Sequence, residues 1–210
     1  MDQQKNVSKA VIARLPRYYR YLRRLATENV SRISSKDLAA RMGLTASQIR
    51  QDLSCFGGFG QQGYGYSVET LIIELERILG IAGSRRAILL GAGNLGRALL
   101  RNFNFSYCGV RPIAAFDVAP DIVGNAYRGI PVHSMDDLEV FMAREMADIA
   151  VLCVPGSAVD SLTERLVQAG IKGIWNFTNA ELREEEIGVA VENVHFSDSL
   201  MALCYRIQDD

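Results

Sequence analysis

The chain has 210 residues, of which 49% are hydrophobic and 22% charged, a balance suited to a globular protein of one large or two small domains. No N-terminal apolar segment has signal-peptide length and no run of about 18 apolar residues occurs, so no membrane span and a cytoplasmic protein are expected. The net charge of −1 conceals a division: residues 1–66 carry 11 Lys and Arg against 4 Asp and Glu, and residues 67–210 carry 12 against 20. A basic first third on an acidic remainder points to one domain for a polyanion and another for a different ligand.

From Ser8 to about Asn29, the residues Val11, Leu15, Tyr18, Leu22 and Leu25 recur at steps of four and three, the inner stripe of an amphipathic helix. Pro16 is expected to break that helix or to start its main part. Arg17, Arg20 and Arg24 share another face, which on its own would be an ordinary solvated one. Ser34 or Ser35 then caps a short helix, KDLAARMG, Gly43 supplies the turn, and Thr45 caps the next helix, ASQIRQDLSCF. Helix, short turn and polar helix make a helix-turn-helix, whose second helix enters the major groove of double-stranded DNA. Ile49 and Leu53 anchor that helix inward. Ser47, Gln48, Arg50 and Gln51 then face outward, with Arg and Gln able to read guanine and adenine edges and Ser and Thr able to reach phosphates. Arg14, Arg17, Ser34, Lys36 and Thr45 complete the DNA-facing set of this half.

The segment CFGGFGQQGYGYS follows, and Gly58 to Gly63 within it fits G-x-G-x-x-G. That fingerprint needs a buried strand before it and a helix after it. Here a polar helix precedes it, and no acidic residue lies about twenty residues on. Glycines interleaved with aromatics suit a tight hairpin instead, a wing beside the recognition helix. Phe59, Gly60, Gln61, Gln62, Gly63 and Tyr64 are its candidate DNA contacts. Ser67 caps the amphipathic helix VETLIIELERILG, which joins two domains divided near residue 80.

A second match, GAGNLG, runs from Gly91 to Gly96, and its surroundings are right: the apolar run Ala87 to Leu90 precedes it and a helix begins near Asn94. Gly91 permits the tight turn, Gly93 the close approach of a pyrophosphate, and Gly96 the packing of helix on strand. The next strand, PIAAFDV, ends in Asp117, 21 residues after Gly96, where a carboxylate accepts from ribose hydroxyls and repels a 2′-phosphate. NAD(H) is therefore expected rather than NADP. A helical stretch from Ser134 to Glu145, the strand DIAVLCV, a helix to Gly170, the strand IKGIWNF, a strand in AVENVHFSD and a last helix capped by Ser197 or Asp198 continue an α/β, doubly wound parallel sheet. Ligands sit beyond the carboxyl ends of such strands. The nucleotide-facing candidates are Gly91, Ala92, Gly93, Asn94, Leu95, Gly96, Asp117, Val118, Val154, Pro155, Asn176, Phe177, Thr178 and His195. A lone histidine such as His195 is most often structural, and no substrate domain is left over, so a protein that senses the dinucleotide is expected rather than an enzyme. The cysteines Cys55, Cys108, Cys153 and Cys204 form no C-x-x-C pair and read as small hydrophobes, with no metal site.

The pieces RLPRYYRYL, SQIRQDLSCFGGFGQQGYGY, GAGNLG, AFDV, CVPGSAVD, GIKGIWNF and VENVHF together resemble the Rex family of redox-sensing transcriptional repressors over nearly the whole chain. The resemblance implies a winged helix over residues 1–80, a Rossmann NAD(H)-binding domain over 81–196 and a C-terminal dimerisation helix over 197–210, exchanged between the protomers of a homodimer. It also implies binding to pseudo-palindromic operator DNA and release by NADH. The chain departs from the family pattern at Gln61 and Gln62, where relatives carry Lys or Arg, at His195, where a carboxylate is usual, and at Asn102, where a Tyr is usual. An NAD-dependent oxidoreductase and a coenzyme A-binding module are the rival readings.

Overall fold

The computed structural model describes residues 7–61 and 64–208. Gln62 and Gly63 of the wing tip lie outside the described residues. The chain divides into two compact units between Gly83 and Ser84.

In the first unit, α1 (Lys9–Thr27) is capped by Ser8, whose hydroxyl accepts from the Val11 N–H. It runs straight through Pro16, against the expected break. The missing N–H deprives only the carbonyl of Ile12, and both residues lie on the exposed side of the helix, where water can serve that carbonyl. After β1 (Arg32–Ile33), α2 (Ser35–Met42) is capped by Ser34 and closed by Gly43 at φ +67°. Thr45 caps α3 (Ala46–Ser54) by accepting from the Gln48 N–H. The hairpin β2 (Gly60–Gln61) and β3 (Gly65–Ser67) lies beside β1 in a three-stranded antiparallel sheet of order β1-β3-β2. Ser67 then caps α4 (Val68–Leu79), which ends on Gly80. Leu15, Leu22 and Leu25 of α1 bury against Leu38, Ile49, Leu53, Leu71 and Leu75, the core of this unit.

The second unit opens with β4 (Arg85–Leu90) and α5 (Asn94–Asn102), followed by β5 (Val110–Asp117). A tight turn with Arg128 and Gly129 at positive φ joins β6 (Ala126–Tyr127) to β7 (Ile130–Ser134), two strands the sequence reading passes over. Next come α6 (Leu138–Glu145), β8 (Ile149–Leu152), α7 (Val159–Gln168), β9 (Gly173–Asn176), the short α8 (Glu184–Ile187) and β10 (Ala190–Asn193). The expected start of α6 at Ser134 is instead a 3-10 turn over Met135–Asp137. The last helix, α9 (Phe196–Arg206), has its N-cap at His195 and not at Ser197 or Asp198.

The sheet order is β10-β9-β8-β4-β5-β7-β6, parallel throughout except for the β6–β7 pair. In chain order its six parallel strands run 3-2-1-4-5-6, the doubly wound dinucleotide arrangement, and the order reverses between β4 and β8. A crevice therefore opens beyond the carboxyl ends of those two strands. Among the described residues no helix is long and apolar enough to cross a membrane.

Candidate functional site

The glycine loop Gly91–Gly96 stands at that reversal. Gly91 has φ +91°, and a Cβ there would lie 2.5 Å from the Cys153 carbonyl oxygen on the neighbouring strand end. A side chain at Gly96 would overlap the Gly91 carbonyl and press on Leu89, so the helix can lie on the strand only without one. Gly93 differs: nothing stands within 4 Å of where its Cβ would be. It caps α5 with no side chain, so the first N–H groups of the helix face open space with the positive end of the helix dipole behind them. A helix N-terminus left open in this way is a backbone cradle able to take an anionic group.

Asp117 is 8% exposed and braces the cradle. Its Oδ2 accepts from the Ala92 N–H at 2.7 Å and its Oδ1 from the Ala119 N–H at 2.9 Å. Each oxygen keeps a further lone pair, so the carboxylate can hold the loop and still accept a hydroxyl. Val118 beside it is 78% exposed, an apolar surface of the kind an adenine covers. Arg97, which the sequence reading missed, curls over the loop, with Nε donating to the Gly93 carbonyl and Nη2 to Asn94 Oδ1 at 2.8 Å. Its place one turn into the helix, directly after the last fingerprint glycine, is the signal that could have found it.

At the next strand end Val154 is half-buried and Pro155 exposed, both beside the crevice. Asn176 and Thr178 are both buried. Asn176 is wholly so, its amide donating to the Ala180 carbonyl and to Asn193 Oδ1 and accepting from the Thr178 N–H and hydroxyl. Its side-chain hydrogen-bonding groups are used in fixing the loop after β9. Phe177 packs with Trp175 at 4.5 Å between ring centroids and meets Phe196 at 5.9 Å. His195 Nε2 lies 2.8 Å from Glu181 Oε2, which fixes the imidazole at the base of α9. Burial pushes the Cys153 thiol up to about 12, so it stays protonated and inert.

In the first unit, α3 presents Ser47, Arg50, Gln51 and Ser54 outward. Arg50 is held in place, with Nη1 donating to Ser35 Oγ at 3.0 Å and Nη2 to Ser47 Oγ at 3.2 Å. Lys36 and Thr45 are exposed beside it, and Arg17 reaches the Met42 carbonyl. Ser34 exchanges hydrogen bonds with Asp37, accepting from its N–H and donating to Oδ2, so its hydroxyl serves the helix cap.

Arg14 turns toward the core. Its Nε and Nη2 fork onto the two oxygens of Asp52 at 2.7 and 2.8 Å, which commits those two nitrogens to the packing of α1 on α3. Asp52 is fully buried and also accepts from the Tyr18 hydroxyl at 2.5 Å and from Gln48 Nε2 at 3.0 Å. Desolvation opposes the charge on Asp52, but the bonds from Arg14, Tyr18 and Gln48 outweigh it and hold the carboxyl below its usual range. On the wing, Phe59 packs on the core, while Tyr64 is 72% exposed with Arg32 over its ring. Gly60 and Gln61 form the outer strand, paired with Tyr66 and Gly65.

A winged helix-turn-helix followed by a doubly wound dinucleotide fold defines a DNA-binding regulator of the nucleotide-sensing class. Residues 6–54 match the family model "Putative DNA-binding protein N-terminus" and residues 83–180 the model "CoA binding domain". The redox-sensing transcriptional repressor Rex of Caldicellulosiruptor saccharolyticus is 48% identical over 100% of this chain and 95% of its own. The crystal structure of RSP in complex with NAD⁺ and operator DNA is 47% identical, with a TM-score of 0.91 over 98% of this chain and 94% of that one. RSP with NADH gives 44% and 0.89 over 98% and 96%. The chain belongs to the Rex family of redox-sensing transcriptional repressors.

Proposed function

We propose that this repressor works in the cytoplasm as a homodimer on pseudo-palindromic operator DNA and leaves it when NADH binds. The observation that carries the reading is the presence, in one chain, of two preformed sites of different chemistry: the outward face of α3 with its wing, and the Gly91–Gly96 cradle braced by Asp117. RSP, crystallised both with NAD⁺ on operator DNA and with NADH, supports NAD(H) as the ligand and operator DNA as the partner. On the DNA side, Ser47, Gln48, Arg50 and Gln51 read the groove, and Arg17, Lys36, Thr45, Gln61 and Tyr64 reach the backbone. On the nucleotide side, the loop N–H groups and Arg97 take the pyrophosphate, and Asp117 with Val118 takes the adenosine.

The homodimer rests on α9. Phe196, Leu200, Met201, Leu203 and Tyr205 are all exposed, and this apolar helix gains stability only when something covers it. The exchange of α9 between protomers supplies that cover. The coupling is linkage: a nucleotide that binds the DNA-incompetent dimer better lowers DNA affinity by the ratio of its affinities for the two states. Gel shifts test the reading. Arg50→Ala should lose operator binding and keep NADH binding, and Gly93→Val should do the reverse. Operator binding unchanged by Arg50→Ala would refute the α3 assignment.

A further inference from the structure

We infer that Asp52 is a positioning residue for sequence reading: it fixes the side-chain amide of Gln48 so that Gln48 reads one adenine in the operator half-site. The inference rests on the DNA-binding role proposed above and adds to it a specific residue, base and device.

Successive residues of α3 turn by about 100°. Ser47, Gln51 and Ser54 therefore share the outward stripe, with Arg50 on one flank and Gln48 on the other. Both flanking side chains are tethered. Ser35 and Ser47 hold Arg50, and Asp52 holds Gln48 through its Oδ1 at 3.0 Å. Asp52 itself cannot turn, because Arg14 forks onto both its oxygens, Tyr18 donates to Oδ2, and the side chain is buried.

The carboxylate has a chemical consequence. An ionised Asp only accepts, so Gln48 must offer it the NH₂ group and not the carbonyl. That removes the flip that a free glutamine makes at no cost. One N–H of Gln48 goes to Asp52, leaving the other N–H and Oε1 as a donor–acceptor fork. Gln48 is half-buried on the flank of the outward stripe, and in the proposed complex that fork meets the base edge. A fixed fork of one donor beside one acceptor matches adenine N7 and N6–H₂ in the major groove. The fork is set before DNA arrives, so no side-chain entropy is lost in ordering it at the interface.

The test uses the full chain with NAD⁺ present and a randomised library of palindromic duplexes, followed by single-base replacements in the enriched site. Wild type should show an adenine whose replacement weakens binding by about tenfold. Gln48→Ala should flatten that position alone. The triple variant Arg14→Met, Tyr18→Phe, Asp52→Leu replaces the buried polar cluster whole by apolar groups, which proteins tolerate. It should reduce the same preference to below about threefold while leaving the preferences at the other positions of the half-site intact. Gln48→Glu, which leaves Arg14 and Asp52 paired, should lose the adenine preference as well. A triple variant that weakens every duplex by one common factor, with the adenine preference kept, would overturn the inference by making Asp52 a fold residue only. An unaltered profile for Gln48→Ala or Gln48→Glu would overturn it too. If wild type enriches no sequence at all, the operator reading of the whole domain fails, and this inference with it.

Discussion

The guanidinium of Arg14 lies flat against the carboxylate of Asp52, with two parallel hydrogen bonds of 2.7 and 2.8 Å joining α1 to α3. Asp52 is fully buried, while Arg14 keeps a quarter of its side chain in solvent. Removing one member of such a pair strands a charge, whereas removing the whole set does not. Arg14→Met alone should therefore lower the stability of the full chain by about 3 kcal/mol in urea unfolding. The triple apolar variant should stay within about 1 kcal/mol of wild type. Equal losses for the two would show that the pair carries no special role in the packing of α3.

The same pair sets an acid dependence. The Asp52 carboxyl is held below its usual value in the fold, so the unfolded chain binds the proton more readily. The stability it contributes is present above the unfolded carboxyl range, near pH 4, and is lost as pH falls through the lower folded value. Between about pH 5 and pH 2, wild type should therefore lose more stability than the triple variant. Parallel pH profiles would place the acid sensitivity elsewhere.

The glycine loop separates binding from folding. A Cβ at Gly91 meets the Cys153 carbonyl at 2.5 Å on a backbone with φ +91°, so Gly91→Ala should destabilise the chain by at least about 2 kcal/mol. A side chain at Gly93 points into open space. Gly93→Val should leave the melting temperature within about 3 °C and reduce NADH affinity at least a hundredfold, because the side chain would fill the place proposed for the pyrophosphate. Calorimetry and NADH fluorescence on the two variants decide the matter.

Asp117 braces the loop, and in the function proposed above it also meets the ribose; one substitution separates the two duties. Asn at this position can accept only through its single oxygen, so either the Ala92 or the Ala119 N–H loses its partner, and the charge that opposes a 2′-phosphate disappears. Asp117→Asn should weaken NADH about tenfold and NADPH less, narrowing the preference between them. A preference for NADH that stays unchanged would mean that Asp117 only braces the loop.

The exposed side of α9 predicts assembly. Leu200 and Leu203 are 61% and 47% exposed along it, and Leu200→Asp with Leu203→Asp should convert a dimer to a monomer in sedimentation velocity. A dimer that survives both changes would place the interface away from α9.

What the sequence made legible follows from what is locally determined. GAGNLG after Ala87–Leu90 was readable because Gly91 and Gly96 answer local backbone constraints that only glycine meets, while Gly93 leaves the space before the helix open. The caps at Thr45 and Ser67 were readable because they depend on the next three residues. Asp52 was not. In a polar helix an aspartate looks like surface, and its partners Arg14 and Tyr18 lie 38 and 34 residues away on another helix. The bracing role of Asn176 was hidden for a related reason: strand-end position points to a ligand, whereas its amide partners Ala180, Thr178 and Asn193 lie in the loop and strand that follow. The β6–β7 hairpin escaped because β6 has only two residues and its turn places Arg128, a non-glycine, at φ +52°.

In the proposed mechanism nucleotide and operator compete through one two-state dimer, and linkage makes that competition reciprocal. The most direct measurement is NADH affinity of the full chain with and without a saturating operator duplex, with NAD⁺ and NADPH run alongside. Operator DNA should weaken NADH by the same factor by which NADH weakens the operator, about tenfold or more, and NADPH should release nothing. NADH affinity unchanged by saturating operator would contradict the account.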